Sequence, residues 1–277
     1  GEGARTDRDA LRYLAAYQGA IAAIAARRVA GAGPEAGDGI SIKLSALFPR
    51  YEDAQRERVF AELLPRVWTL ADAAARADMN LTIDAEESDR LELSLDVFEQ
   101  LAARVAREHP RWRGFGLAVQ AYQTRSLEVV DAVARIARQA PCDGGLRFMV
   151  RLVKGAYWDG EIKRAQEGGL AGYPVFTHKQ HTDIAYLACA RALIGHADVI
   201  YPQFASHNAA TLAAIGQLAR TAGARFEFQR LHGMGEGVYR ELLAAHPDVP
   251  LRVYAPVGEH RDLLAYLVRR LLENGAN

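Results

Sequence analysis

Cysteine is nearly missing from this chain: Cys142 and Cys189 are its only two in 277 residues. That excludes a disulfide framework, and the absence of a CxxC pair excludes a zinc ribbon or a dithiol redox motif. Both thiols are read as buried fillers in a reducing compartment. An excess of charge of either sign is missing too, since 34 Lys and Arg balance 34 Asp and Glu. A broad cationic field of the kind that attracts nucleic acid is thereby excluded, and any basic site must be local. No apolar run reaches the roughly 18 residues of a membrane-spanning helix, and the start from Gly1 to Asp9 is polar and charged, unlike a signal peptide. The expectation is a soluble, cytoplasmic domain, with any peripheral membrane contact made elsewhere in a longer protein. Also lacking is a GxGxxG after a strand: Gly31 and Gly33 lie in a loop, and Gly233, Gly235 and Gly237 have the wrong spacing for a nicotinamide fingerprint.

What is present is a core-forming composition, 50% hydrophobic and 25% charged. The length suits one α/β barrel of roughly 250 residues, and no linker or low-complexity tract divides it, so residues 1–277 are read as a single domain. Seven β-rich runs alternate with long helical stretches: Gly39–Ser45, Leu81–Glu86, Gly116–Tyr122, Arg147–Gly155, Val199–Ser206, Arg225–Leu231 and Leu251–Val257. Between them, Ala54–Ala77, Ser88–Arg107, Leu127–Gln139 and Ala209–Ala222 carry apolar residues every three or four positions, as crossover helices do. That rhythm predicts βα units around a parallel sheet.

Each run carries an ionisable, amide or phenolic side chain at or just beyond its C-terminal half: Lys43, Asp84, Gln120, Arg151 with Lys154, Gln203 with His207, Gln229 with His232, and Tyr254. In a parallel barrel the C-terminal strand ends share one rim, where βα loops build active sites. Any one of these residues could merely satisfy loop backbone; seven in succession point to a site. Further on, Glu259–Asn274 reads as a helix closed by Asn274 and Gly275. On it Tyr266, Arg269, Arg270 and Glu273 fall at i, i+3, i+4 and i+7 and share a face. Two guanidiniums side by side form a fork of donors suited to a carboxylate. A solvated amphipathic surface helix is the alternative reading of the same pattern.

The runs ISIKLSALFPRY (40–51), LTIDAEESDRLELSLDVFE (81–99), RLVKGAYWDGEIKRAQ (151–166), YPQFASHN (201–208), LHGMGE (231–236) and YAPVGEH with LLAYLVRRLLENGAN (254–277) closely resemble the proline dehydrogenase family. The wording is nearest to the bifunctional proline-utilisation flavoproteins of bacteria. The resemblance implies a distorted (βα)8 TIM-like barrel holding FAD over its C-terminal rim, with the last helix across the top. It also implies a first strand ending in a Gly-Glu segment, so that the opening Gly1-Glu2-Gly3-Ala4 resembles a cut within that strand.

Carried over by position, the resemblance makes Asp84, Arg151 and Lys43 the catalytic group, Arg151 reaching toward the flavin N5 region. Arg269 and Arg270 clamp the proline carboxylate with Lys43 beside it and Glu273 steadying the pair. Tyr157, Leu231, Tyr254 and Tyr266 enclose the proline ring. Asp84, Ala85, Gln120, Arg151, Val153, Lys154, Gly155, Trp158, Ser206 and His207 contact FAD, and Thr177, His178 and Lys179 approach its adenylate end. The implied reaction is L-proline to pyrroline-5-carboxylate, the first step of proline catabolism. Electrons pass on to a quinone, and an aldehyde dehydrogenase domain belongs to the parent chain. No metal and no nucleic-acid contact is expected.

Three other chemistries draw on parts of the same pattern. A Schiff-base lyase would use Lys43 or Lys154 as a desolvated amine nucleophile. A metal hydrolase would draw on His178 and His181, or on His207 and His232, but lacks a carboxylate at helical ligand spacing. A barrel without cofactor would serve only in interaction or regulation.

Overall fold

Thr6 opens the first helix with a reciprocal cap, its hydroxyl accepting from Asp9 N–H at 3.2 Å while the Asp9 carboxylate accepts from Thr6 N–H at 3.1 Å. Helix α1 then runs over Asp7–Ala26. The computed structural model describes residues 3–142, 145–258 and 268. Seven strands follow: β1 (Gly39–Ile42), β2 (Asn80–Ile83), β3 (Phe115–Gln120), β4 (Phe148–Val153), β5 (Ile200–Ala205), β6 (Glu227–Leu231) and β7 (Leu251–Tyr254). They stand in one sheet in sequence order, β1 to β7. The β1–β2, β2–β3, β5–β6 and β6–β7 pairs are parallel. Every residue of β2 and β3 is buried, the continuous apolar covering expected of strands with helices over them. The terminal strands β1 and β7 are the least covered.

The remaining helices are α2 (Leu44–Leu47), α3 (Arg56–Arg58), α4 (Leu64–Arg76), α5 (Leu91–Glu108), α6 (Ser126–Gln139), α7 (Trp158–Glu167), α8 (Lys179–Gly195), α9 (Ala209–Ala222) and α10 (Glu236–Ala245). Leu93, Val97, Leu101 and Val105 line the buried face of α5 at four-residue steps. Asn208 caps α9 by accepting from Thr211 N–H at 3.0 Å, and Gly223 ends it in the left-handed region.

Contacts group the chain into two compact units, one up to Ala118 together with Val133–Met149, the other Val119–Ala132 with Val150 onward. The first has an aromatic core: Phe98 stacks on Phe115 at 4.9 Å between ring centroids and meets Phe148 edge-on at 4.8 Å. In the second, Phe204, Phe226, Phe228 and Tyr239 form the corresponding cluster.

All seven predicted strands exist, and some boundaries shift for physical reasons. The run Gly39–Ser45 leaves the sheet after Ile42, because the apolar Leu44–Leu47 buries all four side chains as a helical turn instead. The last strand stops at Tyr254 rather than Val257; Pro256 offers no N–H to a ladder and restricts Ala255 before it. The helix predicted over Ala54–Ala77 is interrupted. A 3-10 turn at Asp53–Gln55 starts it, and a π-helical turn at Val59–Leu63 leads into α4, whose second residue is Pro65. Proline cannot supply the i to i−4 bond, and widening the preceding turn accommodates its ring. Cys189 is buried as predicted, whereas Cys142 is half-buried in the bend after α6. The predicted closing helix Glu259–Asn274 lies outside the described residues except for Val268, which is helical.

Candidate functional site

In the first unit the strand register puts Ile42 opposite Ile83, so Lys43 and Asp84 leave neighbouring strand ends at the same level. Asp84 N–H continues the ladder to the Ile42 carbonyl at 2.9 Å, and Lys43 N–H donates to the Tyr17 hydroxyl of α1 at 3.2 Å. Both side chains, and Ala85, are half-buried. Glu86 follows and is buried. It accepts from Ser45 N–H at 3.0 Å and from Arg90 at 3.1 Å, tying the start of α2 to the loop after β2. Burial pushes the Glu86 carboxyl above its ordinary range against the opposing pull of Ser45 and Arg90. The strand-end neighbours Lys43 and Asp84 are thus held at a fixed spacing by a residue the sequence reading passed over.

In the second unit, alternation along β5 and β6 sends Phe204 and Phe228 to the aromatic cluster and leaves Gln203, Glu227 and Gln229 on the opposite face. There Arg151 of β4, 7% exposed, donates from Nε to Gln229 Oε1 at 2.8 Å and stands 4.8 Å from the centroid of the Tyr254 ring. A buried guanidinium needs acceptors and an aromatic face to offset lost hydration, and it has both. Arg151 and Tyr254, both singled out as strand-end residues in the sequence, are thus neighbours.

The segment after β4 is pressed against the end of β3. Ala121 N–H and Tyr122 N–H donate to the carbonyls of Val153 and Lys154 at 2.9 and 2.7 Å, and Gln120 Oε1 accepts from Ala156 N–H at 3.1 Å. Gly155 lies at φ 146°, and a Cβ built there would meet the Tyr122 ring at 2.3 Å. Tyr157 occupies the N-cap of α7, and Trp158 opens that helix with its indole N–H on the Phe176 carbonyl at 2.8 Å. This bond anchors the strip Thr177, His178 and Lys179, all exposed, of which His178 is the N-cap of α8. Lys154 is ion-paired with Asp183, and Lys179 reaches the same carboxylate at 2.9 Å. Burial works to raise the Asp183 carboxyl, but the hydrogen bonds from the two lysines outweigh it and the group lies below its ordinary value. Two ammonium groups thus gather at the N-terminal turn of a 17-residue helix, where the dipole also favours anions.

Ser206 is buried and its hydroxyl accepts from Asn208 N–H at 3.2 Å. His207 Nε2 accepts from Leu231 N–H at 3.0 Å, which leaves the ring proton on Nδ1. Burial, with Arg230 nearby, lowers the His207 value below 6.5 and keeps it neutral. His178 and His181 meet edge-on at 5.4 Å between ring centroids. Among the described residues no group of three or more His, Cys, Asp or Glu is gathered as for a metal ion.

Arg151, Tyr254, Leu231 and His207, together with the Gln120 and Val153–Trp158 strip, are thus placed on the ends of β3 to β7 in one unit, and Lys43, Asp84 and Ala85 on β1 and β2 in the other. Tyr266, Arg269, Arg270 and Glu273 lie outside the described residues. Glu86, Asp183, Glu227 and Arg252 went unnoticed in the sequence. For Glu227 a signal existed: a carboxylate alternating with Phe226 and Phe228 in a strand is a polar residue aimed inward.

The proline dehydrogenase family model matches residues 1–277. The chain is 53% identical over 283 residues to the bifunctional protein PutA of Escherichia coli, covering 100% of this chain and 21% of that one. It is 54% identical over 275 residues to PutA of Rhizobium meliloti, covering 98% and 22%. A solved structure of a proline utilization A variant from Bradyrhizobium japonicum superposes with a TM-score of 0.93 at 54% identity, covering 100% of this chain and 28% of that one. The chain therefore spans about a fifth of the length of the curated relatives it matches. Its fold is α/β, seven strands in one sheet with helices between them, as the strand rhythm predicted, and it matches that proline utilization A structure, in keeping with the TIM-like barrel that the family resemblance implied.

Proposed function

The chain belongs to the proline dehydrogenase family, and from that membership we propose that it oxidises L-proline to pyrroline-5-carboxylate with FAD, residues 1–277 acting as one catalytic domain. Arg151 carries the reading. It is a buried cation of β4, fixed at one edge by Gln229 and set against the Tyr254 ring.

The donor set suits a dinucleotide flavin. Cations at Lys154 and Lys179, beside the α8 N-terminus, match a pyrophosphate, while Ser206 and the Nδ1–H of His207 offer neutral polar contacts toward the ribityl chain. By family resemblance Gln120, Val153, Gly155, Trp158, Thr177 and His178 would contact the cofactor, and so would Asp84 and Ala85. FAD, when bound, supplies the hydride acceptor. The protein supplies position and charge. Lys43, Arg269 and Arg270 bind the substrate carboxylate, and Glu273 orients the Arg pair. Tyr157, Leu231, Tyr254 and Tyr266 close over the pyrrolidine ring and exclude water. Holding the ring carbon next to nitrogen in one geometry recovers part of an entropic barrier that can reach roughly 7 to 11 kcal/mol. Arg151 opposes negative charge developing at the acceptor, and Asp84 balances that cation at rest. The substrate loses a hydride from carbon and a proton from nitrogen, so the amine must be neutral when the bond breaks.

Electrons then leave to a quinone, and the parent chain adds an aldehyde dehydrogenase domain that consumes the product. No helix among the described residues is long and apolar enough to cross a membrane; a cytoplasmic location with peripheral contact at the inner membrane face completes the proposal. The test is optical. The purified protein is expected to be yellow and to bleach anaerobically on adding L-proline; a colourless preparation that takes up no FAD, or a yellow one indifferent to proline, sinks the reading.

A further inference from the structure

Beneath Arg151 lies a buried carboxylate that the reaction scheme leaves without a task. Glu227 of β6 is 1% exposed, and four donors converge on it. Oε1 accepts from Gln203 Nε2 at 2.9 Å, Gln229 Nε2 at 2.7 Å and Arg252 Nε at 2.7 Å, while Oε2 accepts from Arg252 Nη2 at 3.0 Å. The two-pronged Arg252 contact balances the charge of Glu227, and the strand backbone fixes where both stand. An isolated buried ion would be costly. Inside this closed pair, the acceptor has a fixed place.

We propose that Glu227 is a positioning residue for Arg151, acting through the side-chain amide of Gln229. The inference rests on the reading above, that Arg151 faces the flavin. A glutamine amide has one donating and one accepting end. Because Glu227 takes the donating end at 2.7 Å, Gln229 must turn its oxygen to Arg151, whose Nε donates to it at 2.8 Å. The flipped amide would set its N–H against the Arg151 Nε–H and its oxygen against the Glu227 carboxylate, a donor facing a donor and an acceptor facing an acceptor, with both buried groups left unsatisfied. Glu227 thereby selects one amide orientation. That orientation pins the edge of the guanidinium while the Tyr254 ring, 4.8 Å away, limits its face. The relay runs across one layer, from a charge pair on β6 and β7 to a cation on β4.

The test compares Gln229→Met, Glu227→Gln, Arg151→Met and the Gln229→Met/Arg151→Met double variant in the flavin-loaded protein. Two readouts are used: the visible absorption of the oxidised flavin without substrate, and the limiting rate of flavin reduction by L-proline with its KM. Loss of a charged hydrogen bond predicts a limiting rate about ten- to a hundredfold lower in Gln229→Met. A shifted flavin band and a KM changed far less than the rate should accompany it. Glu227→Gln should reproduce that signature, and the double variant should be no slower than Arg151→Met alone. Gln229→Met keeps the Glu227–Arg252 pair, so it decides the matter even if Glu227→Gln fails to fold. Normal rate and spectrum in Gln229→Met, with Arg151→Met slow, would overturn the relay and leave the site reading intact; so would multiplying effects in the double variant. An Arg151→Met protein with unaltered spectrum and rate would instead overturn the site reading on which the relay rests.

Discussion

Gly155 shows how one residue type is dictated by two constraints at once. Its φ of 146° is a conformation L side chains rarely adopt, and the space where a Cβ would go is filled by the Tyr122 ring at 2.3 Å. The glycine lets the chain pass directly over the Tyr122 ring just beyond Val153, the end of β4. Gly155→Ala is expected to destabilise the protein by at least about 2 kcal/mol from strain and overpacking together, read as a lowered thermal midpoint and weaker retention of flavin. Arg269 and Arg270 are assigned to the substrate carboxylate by helical spacing and family resemblance. Arg270→Met should raise the KM for proline by about ten- to a hundredfold, the worth of a charged hydrogen bond, while flavin stays bound; steady-state kinetics with unchanged saturation would remove the clamp. Lys43, Asp84, Arg151 and Tyr254 were legible as strand-end residues because a parallel sheet brings every C-terminal end to one level. Glu227 was legible only as a polar residue between Phe226 and Phe228, and Asp183 not at all. Their importance comes from who meets them, Arg252, Gln203 and Gln229 for the first, Lys154 and Lys179 for the second.

Among the elements, β3 and β4 leave no room for a side chain at Gly116. A Cβ added at Gly116 would lie 1.8 Å from the Met149 carbonyl oxygen, a backbone atom that cannot swing aside. Gly116→Ala must therefore either separate two buried strands or break their ladder, and it should cost at least about 3 kcal/mol. Thermal unfolding should detect this as loss of cooperative folding or a midpoint lowered by several degrees. Helix α9 matched its predicted span because both its ends are written locally, Asn208 before it and Gly223 after it. The stretch Ala54–Ala77 carried an equally good apolar period, yet Pro65 forced a π-helical turn ahead of α4. Periodicity reports which face is buried; it is silent on where the backbone must yield to one ring. The turn Leu44–Leu47 makes the same point in reverse, since a short apolar run suits a strand or a buried helix and burial decides.

For the molecule as a whole, the titrating groups predict an acid response in two stages. His207 has a folded value lowered by burial, so its contribution is fully present above its ordinary 6.5 and is lost as the pH falls through that value toward the folded one. Asp183, Asp72 and Asp9 also have lowered folded values, so theirs is present above the ordinary 3.8 and is lost as the pH falls further. Denaturant midpoints from pH 8 to 3 should show both declines; His207→Gln should flatten the upper one and Asp183→Asn part of the lower, and a single step unaffected by either change would refute the assignment. Sequence alone determined the alternating βα order, the seven strands and their buried faces, because hydrophobic periodicity and local caps act over a few residues. It also determined the family, because long motifs persist across the chain. The partners of Arg151 and Lys154, the hub at Glu227 and the neutral tautomer of His207 were decided only by tertiary structure. Each depends on donors and acceptors brought within about 3 Å from strands and helices far apart in sequence, and no local pattern encodes such a meeting.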